Sequence, residues 1–174
     1  PIARAADLTE DALDDAKKQG KPIRPDLPPI KNRINFLGHT FNWEEFNKIE
    51  ELQGILERMV LEYDSRSLLQ KVKRSTIGFE KILKDSTKGN FRNIKFWRLA
   101  YYLRDIHQDA QKSQRKGIRK TDYAEILIEK YREIVLHNIF HAKNKEQIKQ
   151  IMIIPAAVKW AEMATRSASK EDKQ

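Results

Sequence analysis

Residues 42–63, NWEEFNKIEELQGILERMVLEY, decide the fold class. Their apolar side chains, Phe46, Ile49, Leu52, Leu56, Met59, Val60 and Tyr63, recur at spacings of three and four, the period of a helix with one buried face. Glu45 follows Asn42 at the third position, a capping-box pattern that serves two of the unpaired amides at a helix start. Gly54 lies inside this helix and costs it about 1 kcal/mol against alanine.

The same period continues downstream. A second helix is expected from about residue 65 to residue 84, with Leu68, Leu69, Val72, Thr76, Phe79 and Leu83 on its buried side and Gly78 as a weak point. Residues 85–90, DSTKGN, break the pattern. A third helix is expected over residues 91–115, closed by Lys116 and Gly117. A fourth opens at Thr121 and Asp122 and packs Tyr123, Leu127, Ile128, Tyr131, Ile134, Val135 and Ile139. A fifth opens at Asn144, with Gln147 in the capping position, and meets Pro155. Proline inside a helix removes a hydrogen bond and clashes with the preceding turn, so a kink or a fresh helix start is expected there. Residues 151–154 are apolar enough for a strand, but no second strand pattern pairs with them. The expected fold is all-α, a helical bundle of about five main helices.

Upstream of residue 42 the period is lost. Residues 1–19 carry a short helix signal, with Thr9 as N-cap and Gly20 to close it. Residues 21–40 hold Pro22, Pro25, Pro28 and Pro29 and read as an extended Pro-rich N-terminal arm. The arm bears Ile23, Leu27, Ile30, Ile34, Phe36 and Leu37, too much apolar surface for a free linker. The expected organisation is therefore a helix plus arm over residues 1–41, a helical body over 42–166 and a polar tail over 167–174.

Composition narrows the function. The chain has 174 residues and no cysteine, which excludes disulfides, zinc–thiolate sites, iron–sulfur clusters and a Cys nucleophile. No run approaches the ~18 apolar residues of a membrane span, and no signal-peptide pattern is present. The formal net charge is +9, and it is segregated. Residues 66–120 carry 16 basic and 4 acidic side chains, whereas residues 1–65 carry 9 and 13. A basic block of this kind is the footprint of polyanion binding; its plain alternative is a solvated face.

Within the block, Arg66, Lys73, Arg74, Lys81 and Lys84 fall on one arc of the second helix, opposite its apolar set, where they can track a phosphate backbone. The third helix is apolar on two sides, Ile94, Trp97 and Tyr101 on one and Phe96, Leu99, Leu103 and Ile106 on the other. Such a helix is either central or half covered by a partner, so Ile94, Trp97 and Tyr101 join Ile23, Leu27, Ile30, Phe36 and Leu37 as expected partner-interface residues. A polar seam of Lys95, Arg98, Tyr102, Asp105, Asp109 and Lys112 runs between the two sides, with Tyr102 placed to stack on a base. Lys88 and Arg92 at one end of the third helix, and Arg115, Lys116, Arg119 and Lys120 at the other, stand ~35 Å apart, a span suited to an extended polyanion.

Enzyme patterns are absent. The sequence has no GxxxxGK[ST], GxGxxG or GxSxG. His137 and His141 have the i, i+4 spacing of a metal pair but no HExxH carboxylate between them and no evident third ligand, so no metal or other cofactor is expected. The sequence thus points to a non-catalytic structural component of a ribonucleoprotein, ribosomal or organellar-ribosomal in style, contacting RNA phosphates through residues 66–120. The alternative is a protein–protein scaffold or accessory subunit of a multiprotein, even mitochondrial, complex without nucleic acid. RNA and other protein subunits are the expected partners, with no small-molecule substrate. The expected setting is inside the cell, in the cytoplasm or a mitochondrion.

Overall fold

The computed structural model describes residues 2–19, 32–63, 66–84, 97–99, 101–102, 104, 118–141 and 145–171. These residues are mostly helical, and the fold is all-α with one small two-stranded sheet. They divide into two compact units, residues 1–48 and 49–174, the division falling inside one long helix.

In the first unit, α1 (Ile2–Gln19) is longer than its sequence signal suggested. Thr9 lies inside it rather than capping it, because Ala3, Ala5 and Ala6 ahead of it favour helix strongly. Residues 20–31, with all four arm prolines and Ile23, Leu27 and Ile30, lie outside the described residues. The rest of the expected arm is a hairpin, which corrects the sequence reading: β1 (Arg33–Phe36) pairs antiparallel with β2 (His39–Asn42), Ile34 opposite Phe41 and Phe36 opposite His39. Its two-residue turn places Leu37 at φ 54° and Gly38 at φ 88°. Positive φ at both turn residues matches the right-handed twist of the strands, but leucine rarely adopts it, so the usual Asn-Gly cue was missing. α1 packs against both strands. The Phe36 ring meets Phe46 edge-on at 5.2 Å, and Trp43 meets Phe46 at 6.0 Å.

α2 (Trp43–Tyr63) starts where the capping box placed it. The Asn42 amide donates to Glu45 Oε2 (2.9 Å), and the Glu45 amide donates to Asn42 Oδ1 (2.8 Å). In the second unit α2 buries Ile49, Leu52, Ile55, Leu56, Met59 and Val60, as the period required.

The expected second helix is two. α3 (Arg66–Ser75) buries Leu68, Leu69 and Val72, and α4 (Phe79–Lys84) follows after a turn. Ser75 Oγ donates to the Val72 carbonyl (2.6 Å) and Thr76 Oγ1 to the Lys73 carbonyl (2.8 Å), so two hydroxyls fold back on the last turn of α3. Gly78 then takes φ 99°, the left-handed conformation that ends helices. Of the expected third helix, residues 97–99, 101–102 and 104 are described and helical.

α5 (Ile118–Tyr131) begins about a turn before Thr121, directly after Gly117 in the chain. It continues through a π-helical segment, Arg132–His137, into α6 (Asn138–His141). A π turn strands a carbonyl, and the Asn138 side-chain amide supplies its donor, reaching the Ile134 carbonyl at 2.7 Å. α7 (Lys145–Lys149) tightens into a 3₁₀ turn, Gln150–Met152, and restarts as α8 (Ile153–Glu171). Pro155 thus sits in the first turn of a helix, where its missing N–H costs nothing. Residues 151–154 are helical and wholly buried, not a strand.

One buried group is poorly served. Tyr131 is buried and its hydroxyl makes no hydrogen bond of good geometry. It faces Ser75, whose own proton goes to Val72. Burial pushes the Tyr131 phenol from 10.0 up to about 12, against a smaller opposing effect of Ser75. A raised folded-state pKa in an acid means that stability falls as pH rises from about 10 to about 12, by roughly 2–3 kcal/mol at the ~1.4 kcal/mol per unit that linkage gives. Tyr131→Phe should therefore be neutral or stabilising by about 1 kcal/mol at pH 7 and should remove that alkaline loss. Urea midpoints of both proteins at pH 7 and pH 11 check this; a large destabilisation at pH 7 would mean that the hydroxyl is bonded after all.

Candidate nucleic-acid interface

The site begins with α3. With Leu68, Leu69, Val72 and Ser75 buried, helical geometry leaves Arg66, Gln70, Lys71, Lys73 and Arg74 on the other arc. Arg66, Lys73, Arg74 and, on α4, Lys81 are exposed, as the sequence required. The turn at 76–78 divides the expected five-cation stripe, so Lys81 belongs to a different helix from Arg66 and Arg74.

Lys73 is not available as a free cation. Its Nζ lies 2.9 Å from Glu162 Oε2 and 3.1 Å from Oε1, while Gln70 donates to the same carboxylate at 2.8 Å. Glu162 is buried on α8, and two donors from α3 are what permit a carboxylate there. The sequence reading, which placed Lys73 among the cations that track a phosphate backbone, is corrected on this point. A partner 89 residues away leaves no local signature.

On its other flank α3 meets the aromatic turn. Lys71 Nζ lies 5.8 Å from the centre of the half-buried Tyr102 ring. Leu99 is 2% exposed and anchors this turn in the core, while Trp97 is 58% and Tyr101 52% exposed. The arrangement follows from helical geometry: positions 97 and 101 share a face about 40° apart, and 99 points away from both. The Arg98 guanidinium lies over Trp97 (5.7 Å) and the Arg104 guanidinium over Tyr101 (4.7 Å). Tyr101 and Tyr102 meet edge-on at 6.3 Å. Two exposed rings each carrying an arginine form a surface on which unpaired bases can stack.

Of the other sequence-expected cations, the side chains of Lys84, Arg119 and Lys120 and all of Lys88, Arg92, Lys95, Lys112, Arg115 and Lys116 lie outside the described residues, as does Ile94. The structure adds Lys71 and Arg104, which the heptad seam passed over; Arg104 follows Tyr101 by three residues, a spacing that places side chains together on a helix. The His137 and His141 rings lie 5.0 Å apart on the surface, and among the described residues no group of three ligands is placed to hold a metal ion. Among the described residues no helix is long and apolar enough to cross a membrane. The chain matches no protein-family model, no curated protein and no solved structure.

The exposure of Trp97 has a direct consequence. Trp97→Ala should cost less than about 1 kcal/mol in the free protein, as exposed positions do, whereas Leu99→Ala should cost about 2–5 kcal/mol. Denaturant unfolding of both variants decides, and a loss at Trp97 equal to that at Leu99 would place the indole in the core.

Proposed function

We propose that this protein is a non-catalytic, RNA-contacting structural component of a larger assembly. On this reading α3 lays Arg66, Lys71 and Arg74 along phosphates, while the adjoining turn stacks unpaired bases on Trp97 and Tyr101. The observation that carries it is the pairing of those two exposed rings with Arg98 and Arg104 beside a cationic helix. Single-stranded RNA is recognised through such a combination, the cations supplying sequence-independent affinity and the rings about 1–3 kcal/mol per stacked base.

The test reverses charges that take no part in the Lys73–Glu162 pair. Lys73 holds Glu162, so the informative variant is Arg66→Glu, Lys71→Glu, Arg74→Glu. It should keep its helicity and thermal midpoint and lose RNA binding by at least about a hundredfold at low salt. The plot of log K against log salt should flatten by roughly two units, at ~0.7 per single-strand phosphate contact. Trp97→Ala with Tyr101→Ala should weaken binding about tenfold or more without changing that slope. Unaltered affinity for a U-rich oligonucleotide in a folded triple variant would sink the proposal and bring the protein-scaffold reading forward.

A further inference from the structure

The opposite flank of the α3–α4 turn opens on a groove of about 900 Å³ between that turn and the outer face of α8. Ile77, Phe79, Pro155 and Met163 give it an apolar floor and lip. Ile77 stands 65% exposed and Met163 47% exposed, although each faces apolar neighbours across the opening. On α8 the groove runs from Pro155 to Arg166, three helical turns or ~16 Å. That is the length of an amphipathic helix presenting anchors at i, i+4, i+7 and i+11. A methionine and an isoleucine at the lip suit such a ligand, because flexible apolar side chains adapt to their partner's shape.

The rim gives the sign of the ligand. Lys81, Lys159 and Arg166 line it, together with the Lys73–Glu162 pair, which is internally neutral, and Glu80. Lys81 and Lys159 stand exposed on it, so the rim is positive. Among the described residues the floor has no exposed aromatic face for a base to stack on, since Phe79 is itself buried. A nucleic acid would therefore cover an apolar floor with phosphates, leaving both without compensation. We infer that this groove binds one amphipathic helix of a partner protein, apolar along one face and flanked by glutamate or aspartate. Acidic flanks meet Lys81, Lys159 and Arg166, and leucine-type anchors cover Ile77 and Met163. The surface is separate from the RNA-contacting face, so the two stand or fall independently.

The probe is a fluorescein-labelled peptide of about 14 residues, with leucines at i, i+4, i+7 and i+11 and glutamates on both flanks, titrated with the full chain. A second peptide carries lysine for each glutamate. The acidic peptide should bind, the lysine peptide at least about tenfold more weakly, and Ile77→Ser with Met163→Gln should weaken the acidic peptide about tenfold. Lys159→Glu with Arg166→Glu should weaken it similarly and steepen the discrimination against neither leucine anchor. Both double variants change exposed side chains, and circular dichroism and thermal midpoints confirm that they fold. Both should bind the U-rich RNA as the parent does, and the Arg66, Lys71 and Arg74 reversal should leave peptide binding unchanged. No binding of the acidic peptide, equal binding of the two peptides, unchanged binding in the Ile77 and Met163 variant, or displacement of the peptide by RNA would each overturn the inference.

Discussion

Residues 151–158 are buried almost all round: Ile151, Met152, Ile153, Ile154, Ala156, Ala157 and Val158 are each at most 3% exposed. A helix apolar on every side has no solvent face, so it must be surrounded. The second unit is arranged to surround it, with α3, α4 and the π-helical segment all packing along α7, the 3₁₀ turn or α8. The small side chains of Ala156, Ala157 and Ala161 let those neighbours approach closely. Pro155 fixes where this axis starts. Because it donates no hydrogen bond, the chain re-initiates its helix there through the 3₁₀ turn, and the break falls where a donor would otherwise be stranded.

Beyond Val158, α8 exposes Lys159, Met163 and Arg166, and this limits where polar groups can sit. Glu162 lies at the edge of the buried stretch. Its carboxylate is tolerable because Lys73 and Gln70 reach it from α3, and α3 can reach it because its own buried arc packs on α8. Apolar packing and this ion pair therefore specify the same register of α3. Removing Lys73 or Gln70 would leave the buried Glu162 carboxylate short of a donor, which is how such a contact contributes specificity even where its net stabilisation is small.

Much of this was legible in the sequence where the cause is local. The capping box of Asn42 and Glu45, the buried positions of α2, the restart at Pro155 and the exposure of Arg66, Lys73, Arg74 and Lys81 all depend on neighbours within a turn or two. The failures share a different cause. Gly78 read as a weak point in one helix, but Ser75 and Thr76 hydroxyls compete with the ladder there and tip it into a turn. Leu37 occupies a left-handed position that its side chain disfavours, so the hairpin carried no recognisable turn dipeptide. Lys73 and Glu162 meet only through the fold. The two-sided third helix was ambiguous between core and interface, and Leu99 inside with Trp97 outside shows that each side had a different answer.

The turn at 76–78 is what sets the proposed RNA-contacting edge of α3 apart from the groove proposed for a partner helix. Had the helix continued, Ile77 would project from the same cationic arc as Lys73 and Arg74, and apolar and basic side chains would share one surface. The bend instead brings Ile77 and Lys81 into the groove beside α8, with Met163, and leaves Lys71 beside the aromatic turn and Arg66 and Arg74 exposed on α3. Lys73 stands between the two edges, and its pairing with Glu162 removes one positive charge from the boundary. On the two proposed readings, a long anionic ligand on the aromatic side would gain little by crossing toward the groove, while an apolar helix in the groove would meet its cations at the rim. The separation of the two surfaces follows from one glycine and one buried carboxylate.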